Sequence, residues 1–383
     1  MPAARPSSSR LNDLLAVLWT SPVFDVGVSP ALMTAAPEVI DRIYSQCVDQ
    51  LDAALPLAWP ELDAEARQGL INQLAPKSVA FCGALAAGEV DEVDRLSATA
   101  VAIALVYLAD QTMDRGDEAM IQAIERVAGV TAPSATLAPL SPKVARYLAL
   151  LGVIVEQVAV MARPEDRFEL LTCLMTDTLV REARVARLNA HYLRSDPDQF
   201  WQAHAAEVAE LVVMNGGFVA VAAMIYSVCR WGQPALPPLA EVLPGLPPIA
   251  AALRAGSAAC RIYDDVGDRI IDLGATRWGC FALNPCNQRD QRFLVALADA
   301  AGIQERSARQ AWVAAFAAEA HDVVLELTTQ FVRQQYAAIP QPLAAHYRRF
   351  LTLTQRVVNA GRVNTVGDDQ LVEQPLAQAV GAS

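Results

Sequence analysis

Carboxylates recur at helical spacing in two places along the 383-residue chain. In LVYLADQTMDRGDEAM, Asp110, Asp114 and Asp117 stand at i, i+4 and i+7, which at 3.6 residues per turn places all three on one face. In CRIYDDVGDRIIDLG, Asp264, Asp268 and Asp272 follow one another at i+4 steps, with Asp265 beside the first. Like charges so spaced repel by about 0.2–0.5 kcal/mol per exposed pair, and by more when half-buried. Something cationic must compensate. Arg115, Arg261 and Arg269 lie within helical reach and offer salt bridging as one answer. A metal ion is the other, and hard oxygen donors without a supporting His or Cys favour Mg²⁺.

Each acidic cluster follows an apolar stretch, so the acids mark the end of a hydrophobic wall rather than a surface stripe. Two such faces opposed across an apolar cavity would suit a diphosphate held at the mouth by Mg²⁺, its hydrocarbon tail inward. A neutralised diphosphate is a good leaving group, and a dry pocket protects the allylic cation left behind.

The elements that must position these acids are helices. Nearly every long segment carries helical periodicity and Ala/Leu/Arg/Glu composition, and alternating β-branched runs are missing, so the class is all-α. Pro56, Pro60, Pro76, the stretch 131–142, Pro164, Ser195-Asp196-Pro197, the run 232–248, Pro285 and Pro340 are expected to mark the joints. Helices are expected over 97–128, 143–162, 165–194, 197–229, 248–273, 304–338 and 341–361. The expected layout is a flexible segment over 1–35, one large helical bundle enclosing a central apolar cavity over 36–365, and a flexible tail over 366–383.

At the acidic clusters the sequence resembles the class I isoprenoid synthases, the all-α family of trans-prenyl diphosphate synthases and class I terpene cyclases. Asp264-Asp265-Val266-Gly267-Asp268 is a full DDxxD, with Asp272 four residues beyond; Asp110-Gln111-Thr112-Met113-Asp114 is similar to one whose second Asp is Gln. The resemblance spans roughly residues 80 to 360. It implies Mg²⁺, several ions and as many as three, held by Asp110, Asp114, Asp117, Asp264, Asp265, Asp268 and Asp272. Asp110, Asp114, Asp264 and Asp268 would carry the catalysis, with a prenyl diphosphate as substrate. Arg181, on a helix with Arg184 and Arg187, Arg277 after the second motif, and Arg348 beside Tyr347 are candidate diphosphate contacts. Ile103, Val106 and Tyr107 would line the cavity ahead of Asp110. Asn215, Gly216 and Gly217 interrupt a long apolar helix where cyclases commonly break one; a close helix crossing is the alternative use of paired glycines.

Elongating synthases need a second diphosphate site built from lysines, a GGKR-type segment and a Phe-Gln pair, none of which is recognisable here. The sequence therefore reads as a terpene cyclase. An elongating prenyl diphosphate synthase, a catalytically silent helical partner subunit and a membrane prenyltransferase remain alternatives, and a homodimer is left open.

Composition closes off other classes. Of 30 basic residues only Lys77 and Lys143 are lysine, against 42 acidic ones, a formal charge of −12, which argues against nucleic acid. With 54% hydrophobic residues the chain can bury a large core. Its seven scattered cysteines read as reduced thiols of a cytoplasmic protein, and its four histidines lack ligand spacing. The run 211–229 is long enough to span a bilayer but carries Asn215 and two glycines, so it reads as a buried helix rather than an integral membrane segment.

Overall fold

The computed structural model describes residues 37–86, 92–114, 116–129, 141–214, 217–243 and 289–337, with isolated positions between 251 and 283. Among them there is no strand, and the class is all-α as expected. The chain runs through α1 (Pro37–Ala58), α2 (Ala64–Ala86), α3 (Val93–Asp114), α4 (Glu118–Val127), α5 (Pro142–Met161), α6 (Arg167–Leu174), a π-helical stretch (Met175–Val180), α7 (Arg181–Tyr192), α8 (Pro197–Met214), α9 (Phe218–Gly232), α10 (Leu239–Val242), α11 (Gln291–Ala300), α12 (Arg306–Ala317) and α13 (His321–Ala337).

Local chemistry explains most boundaries. Ser141 caps α5 by accepting from Val144 N, with Pro142 in the first turn where its missing N–H costs nothing. Asp290 and Glu305 cap α11 and α12 in the same way. Two expected joints are not joints: Pro56 lies in the last turn of α1 and Pro76 inside α2. Some expected single helices are broken. The run 97–128 divides at Gly116, which takes φ +74°, and 304–338 divides at Glu319, φ +57°. Both residues occupy left-handed backbone, which ends a right-handed helix.

Helix α3 sits at the centre of the first core, packed on α1, α2, α5 and α9. A second core joins the end of α7 and α8 to α11, α12 and α13, with Phe200, Trp201, Phe293 and Trp312 buried in it. Phe331 of α13 touches both cores. Cys47, Cys82, Cys173 and Cys229 are buried free thiols. Burial raises the Cys173 thiol to about 12 and those of Cys47 and Cys82 higher still, so they stay protonated at neutral pH.

Among the described residues three stretches, rather than the one read from sequence, are long and apolar enough to cross a membrane: Val93–Met113, Pro142–Met161 and Pro197–Gly232, the last made up of α8 and α9 on either side of their break. The first and third are mostly buried in the protein's own core, whereas α5 leaves Ala149, Gly152, Val155, Ala159 and Val160 exposed.

Candidate active site

Helix α3 is apolar and almost wholly buried from Leu96 to Ala109, with one exception by face. Ile103, Val106, Tyr107, Asp110 and Gln111, spaced 3, 1, 3 and 1, are only half-buried. That spacing is a single helical stripe. The residues expected to form a wall leading to Asp110 therefore share a face, with Asp110 at its end and Asp114 as the last residue of the helix. Tyr107 is not a bare ring. Lys77 of α2 places its ammonium 4.1 Å from the ring centroid, a cation–π contact.

Asp117 corrects the expected three-acid face. Because α3 ends at Asp114 and Gly116 turns the chain, Asp117 starts α4 instead of continuing α3. Its side chain, 4% exposed, accepts from Ala119 N at 3.0 Å and Met120 N at 3.4 Å. It also accepts from the Tyr147 hydroxyl at 2.8 Å, and Lys143 Nζ lies 2.8 Å away. Burial, with the hydrogen bond to Asp117, lifts the Tyr147 hydroxyl far above its ordinary pKa, so it stays a donor. Four donors already surround this carboxylate, which leaves it poorly suited to a metal. The signal was present in Gly116-Asp117-Glu118, a stop followed by a cap. Replacing Asp117 with alanine should cost about 2–3 kcal/mol, from the lost cap and the orphaned buried hydroxyl. Urea unfolding would measure it, and an unchanged midpoint would show that the network carries no stability.

Two irregular backbones face one another nearby. The π-helical stretch widens the path from α6 to α7, and Thr178 within it donates to Cys173 O, five residues back, at 3.2 Å. Gly217 begins α9 with φ +68°, and a Cβ there would lie 3.4 Å from Thr178 Cγ2. The expected helix break is thus present at Gly217 and is packed against the π stretch, which also touches α3 and α4. Single π turns occur often at functional sites, and nothing in the spacing of residues 175–180 announced this one. Gly217→Ala should destabilise by about 1–2 kcal/mol through backbone strain. Thermal unfolding checks this; a variant as stable as the parent would mean that the left-handed turn is not required.

The arginines follow separate paths. Arg181 pairs at 3.2 Å with Asp177 of the π stretch, both half-buried. Arg184 bonds Glu207 at 2.7 Å, and Arg187 clamps Glu118 and Glu125, tying α7 to α4. Those contacts raise the Arg187 pKa, chiefly through the Glu125 hydrogen bond. His191 and His204, thirteen residues apart in sequence, stack edge to face at 5.3 Å, and Glu207 lies 3.2 Å from His204 Nδ1. Among the described residues no three His, Cys, Asp or Glu side chains converge to hold a metal. Asn215, Gly216, Asp264, Asp265, Asp268, Asp272, Arg277 and Arg348 lie outside the described residues.

Among the described residues, a cleft of ≈ 370 Å³ opens between α1 and the start of α3, lined by Asp41, Arg42, Gln46 and Asp94, and one of ≈ 470 Å³ between α11 and α12. Neither includes the stripe that leads to Asp110. No protein-family model matches the chain. No curated protein matches it significantly in sequence.

Proposed function

We propose that the chain is a class I terpene synthase, a cyclase that ionises an allylic prenyl diphosphate with Mg²⁺ and releases diphosphate. The observation that carries the reading is the half-buried stripe Ile103, Val106, Tyr107 and Asp110 on an otherwise buried apolar helix. It pairs a hydrocarbon-compatible wall with a carboxylate at one end, the polarity that an amphiphilic diphosphate requires. The π stretch and the Gly217 break support it, since irregular backbone in a helical core exposes peptide dipoles that a developing cation could use.

Carboxylates suit a hard cation: Asp110 and Asp114 are oxygen donors by residue type, whereas Asp117 is committed elsewhere. Asp110 and Asp114, with Asp264 and Asp268 from the second motif, would hold Mg²⁺. When bound, the ions neutralise the diphosphate and make it a better leaving group. Asp110 positions that end of the substrate, while Ile103 and Val106 exclude water from the hydrocarbon.

The test is incubation of pure protein with allylic diphosphates of several chain lengths and Mg²⁺, followed by analysis of organic extracts and released diphosphate. Hydrocarbon or alcohol products that need no isopentenyl diphosphate are expected. Products that appear only when isopentenyl diphosphate is added would replace the cyclase with an elongating synthase. No diphosphate release from any substrate, with co-purification of an active homologous subunit, would favour the silent partner.

A further inference from the structure

Helices α11 and α12 fold back on one another across residues 301–305, and the cleft of ≈ 470 Å³ between them lies apart from the stripe that leads to Asp110. Helical spacing builds its lining. Gln291 and Val295 stand one turn apart on α11, while Arg306, Gln310 and Ala314 follow at i+4 steps on α12 with Arg309 and Val313 on the adjoining row. The volume falls in the range of small-molecule sites, roughly 300–1,000 Å³.

The lining combines an apolar wall with a cationic end. Val295 stays 40% exposed, so a hydrocarbon laid along it and Val313 would cover surface that packing has left in water. At the end nearest the connecting loop, Arg309 is matched by Asp299 at 2.5 Å. Glu305 is engaged in the cap of α12, where it accepts from Ser307 N at 3.0 Å and Ala308 N at 2.6 Å. Arg306 differs from both. Among the described residues its side chain makes no ion pair or hydrogen bond, and the same holds for the amides of Gln291 and Gln310. Arg181, Arg184, Arg187 and Arg230, by contrast, all hold carboxylates. The cleft beside α1 has the opposite charge balance, with Asp41 and Asp94 against Arg42.

We propose that the cleft between α11 and α12 binds a small monocarboxylate with a short hydrocarbon body. One unmatched guanidinium suits one negative charge, and its fork suits the two oxygens of a carboxylate. Gln310, one turn on from Arg306, can donate to the same group from its amide. The hydrocarbon then runs along Val295 and Val313 toward Gln291. Inorganic phosphate carries more charge than Arg306 balances and gains nothing from the apolar wall. Because Glu305 already takes the first amides of α12, side chains rather than the helix terminus hold the anion. The site is independent of the class I reading.

The experiment is a ligand-observed NMR titration of the full-length protein with hexanoate, beside acetate and inorganic phosphate, in the parent, Arg306→Met, Val295→Gln and Asp299→Asn. Thermal unfolding of each variant serves as the folding control. Hexanoate should bind the parent about tenfold more tightly than acetate, because its extra methylenes leave water, and more tightly than phosphate. Loss of the charge-assisted contact in Arg306→Met should raise the hexanoate Kd about tenfold. Val295→Gln should erase most of the advantage over acetate. Asp299→Asn, which releases Arg309 as a second cation, should lower the hexanoate Kd about threefold. A parent that does not bind hexanoate overturns the proposal. Binding that neither Arg306→Met nor Asp299→Asn changes puts the ligand elsewhere and overturns it too. Acetate or phosphate binding as tightly as hexanoate, and weakened by Arg306→Met, overturns the ligand class and leaves an anion subsite without hydrocarbon recognition. Should Arg306→Met fail to fold, the hexanoate Kd values of Asp299→Asn and Val295→Gln decide, and no change in either overturns the site.

Discussion

Arg230→Met is expected to destabilise the protein by about 3–5 kcal/mol, because it strands a buried carboxylate. Asp166 is fully buried at the head of α6. One of its oxygens accepts from Arg230 Nη1 at 2.7 Å and the other from Leu239 N at 2.7 Å. Arg230, 5% exposed, also donates from Nε to Leu236 O at 3.1 Å and from both terminal nitrogens to Glu165. One guanidinium thus joins the start of α6, the end of α9 and the turn into α10. Nearby, Tyr226 donates to Pro237 O at 2.8 Å and Arg163 to Trp231 O at 3.0 Å, so the same corner is closed by several bonds. The exposed partner Glu165 adds little, since solvent screens it. Urea unfolding of Arg230→Met, Asp166→Asn and the double variant would measure the effect. The double variant should lose less than the two single losses together, because removing both charges leaves none stranded. Additive losses would show that the pair is not coupled.

Asp110→Asn should lower turnover of an allylic diphosphate by about 100-fold or more while leaving the unfolding midpoint nearly unchanged. Asp110 is half-buried at the end of an apolar stripe, and on the proposed reading the loss of its carboxylate would weaken Mg²⁺ binding. Metal stabilisation of a leaving diphosphate is worth several kcal/mol, and each 1.36 kcal/mol is tenfold in rate. Higher Mg²⁺ should restore part of the activity. Asp117→Asn provides the contrast. Its carboxylate faces Tyr147 and Lys143, so its loss should appear in stability with little change in Mg²⁺ requirement. A shifted Mg²⁺ requirement in Asp117→Asn, with none in Asp110→Asn, would make Asp117 the metal ligand and remove Asp110 from that role.

Much of the fold was legible in the chain because helix signals act over one or two turns. Ser141 before Pro142, Asp290 before Gln291 and the glycine at 217 each act on neighbours within four residues. The proline joints were less legible. Pro76 lies inside α2, where Leu70, Ile71, Leu74, Ala75 and Val79 around it are buried, and that burial offsets the missing backbone bond. Gly116 does not stand out in the sequence, because the period of Asp110, Asp114 and Asp117 continues through it, although a positive φ there ends the helix.

The candidate site divides along the same line. Sequence alone determined that the protein is helical and that its first acidic motif stands at the end of an apolar helix; both follow from residue type and a period of 3.6. Tertiary structure decided the rest. It turned Asp117 away to Tyr147 and Lys143, brought Lys77 onto Tyr107 from a separate helix, set the Gly217 break against Thr178 and revealed one stripe of α3 as half-buried. The physical reason is range. Caps and periods are settled among neighbours in the chain, whereas the partner of a charge is chosen by which side chains packing brings within a few ångströms, and no local pattern encodes that.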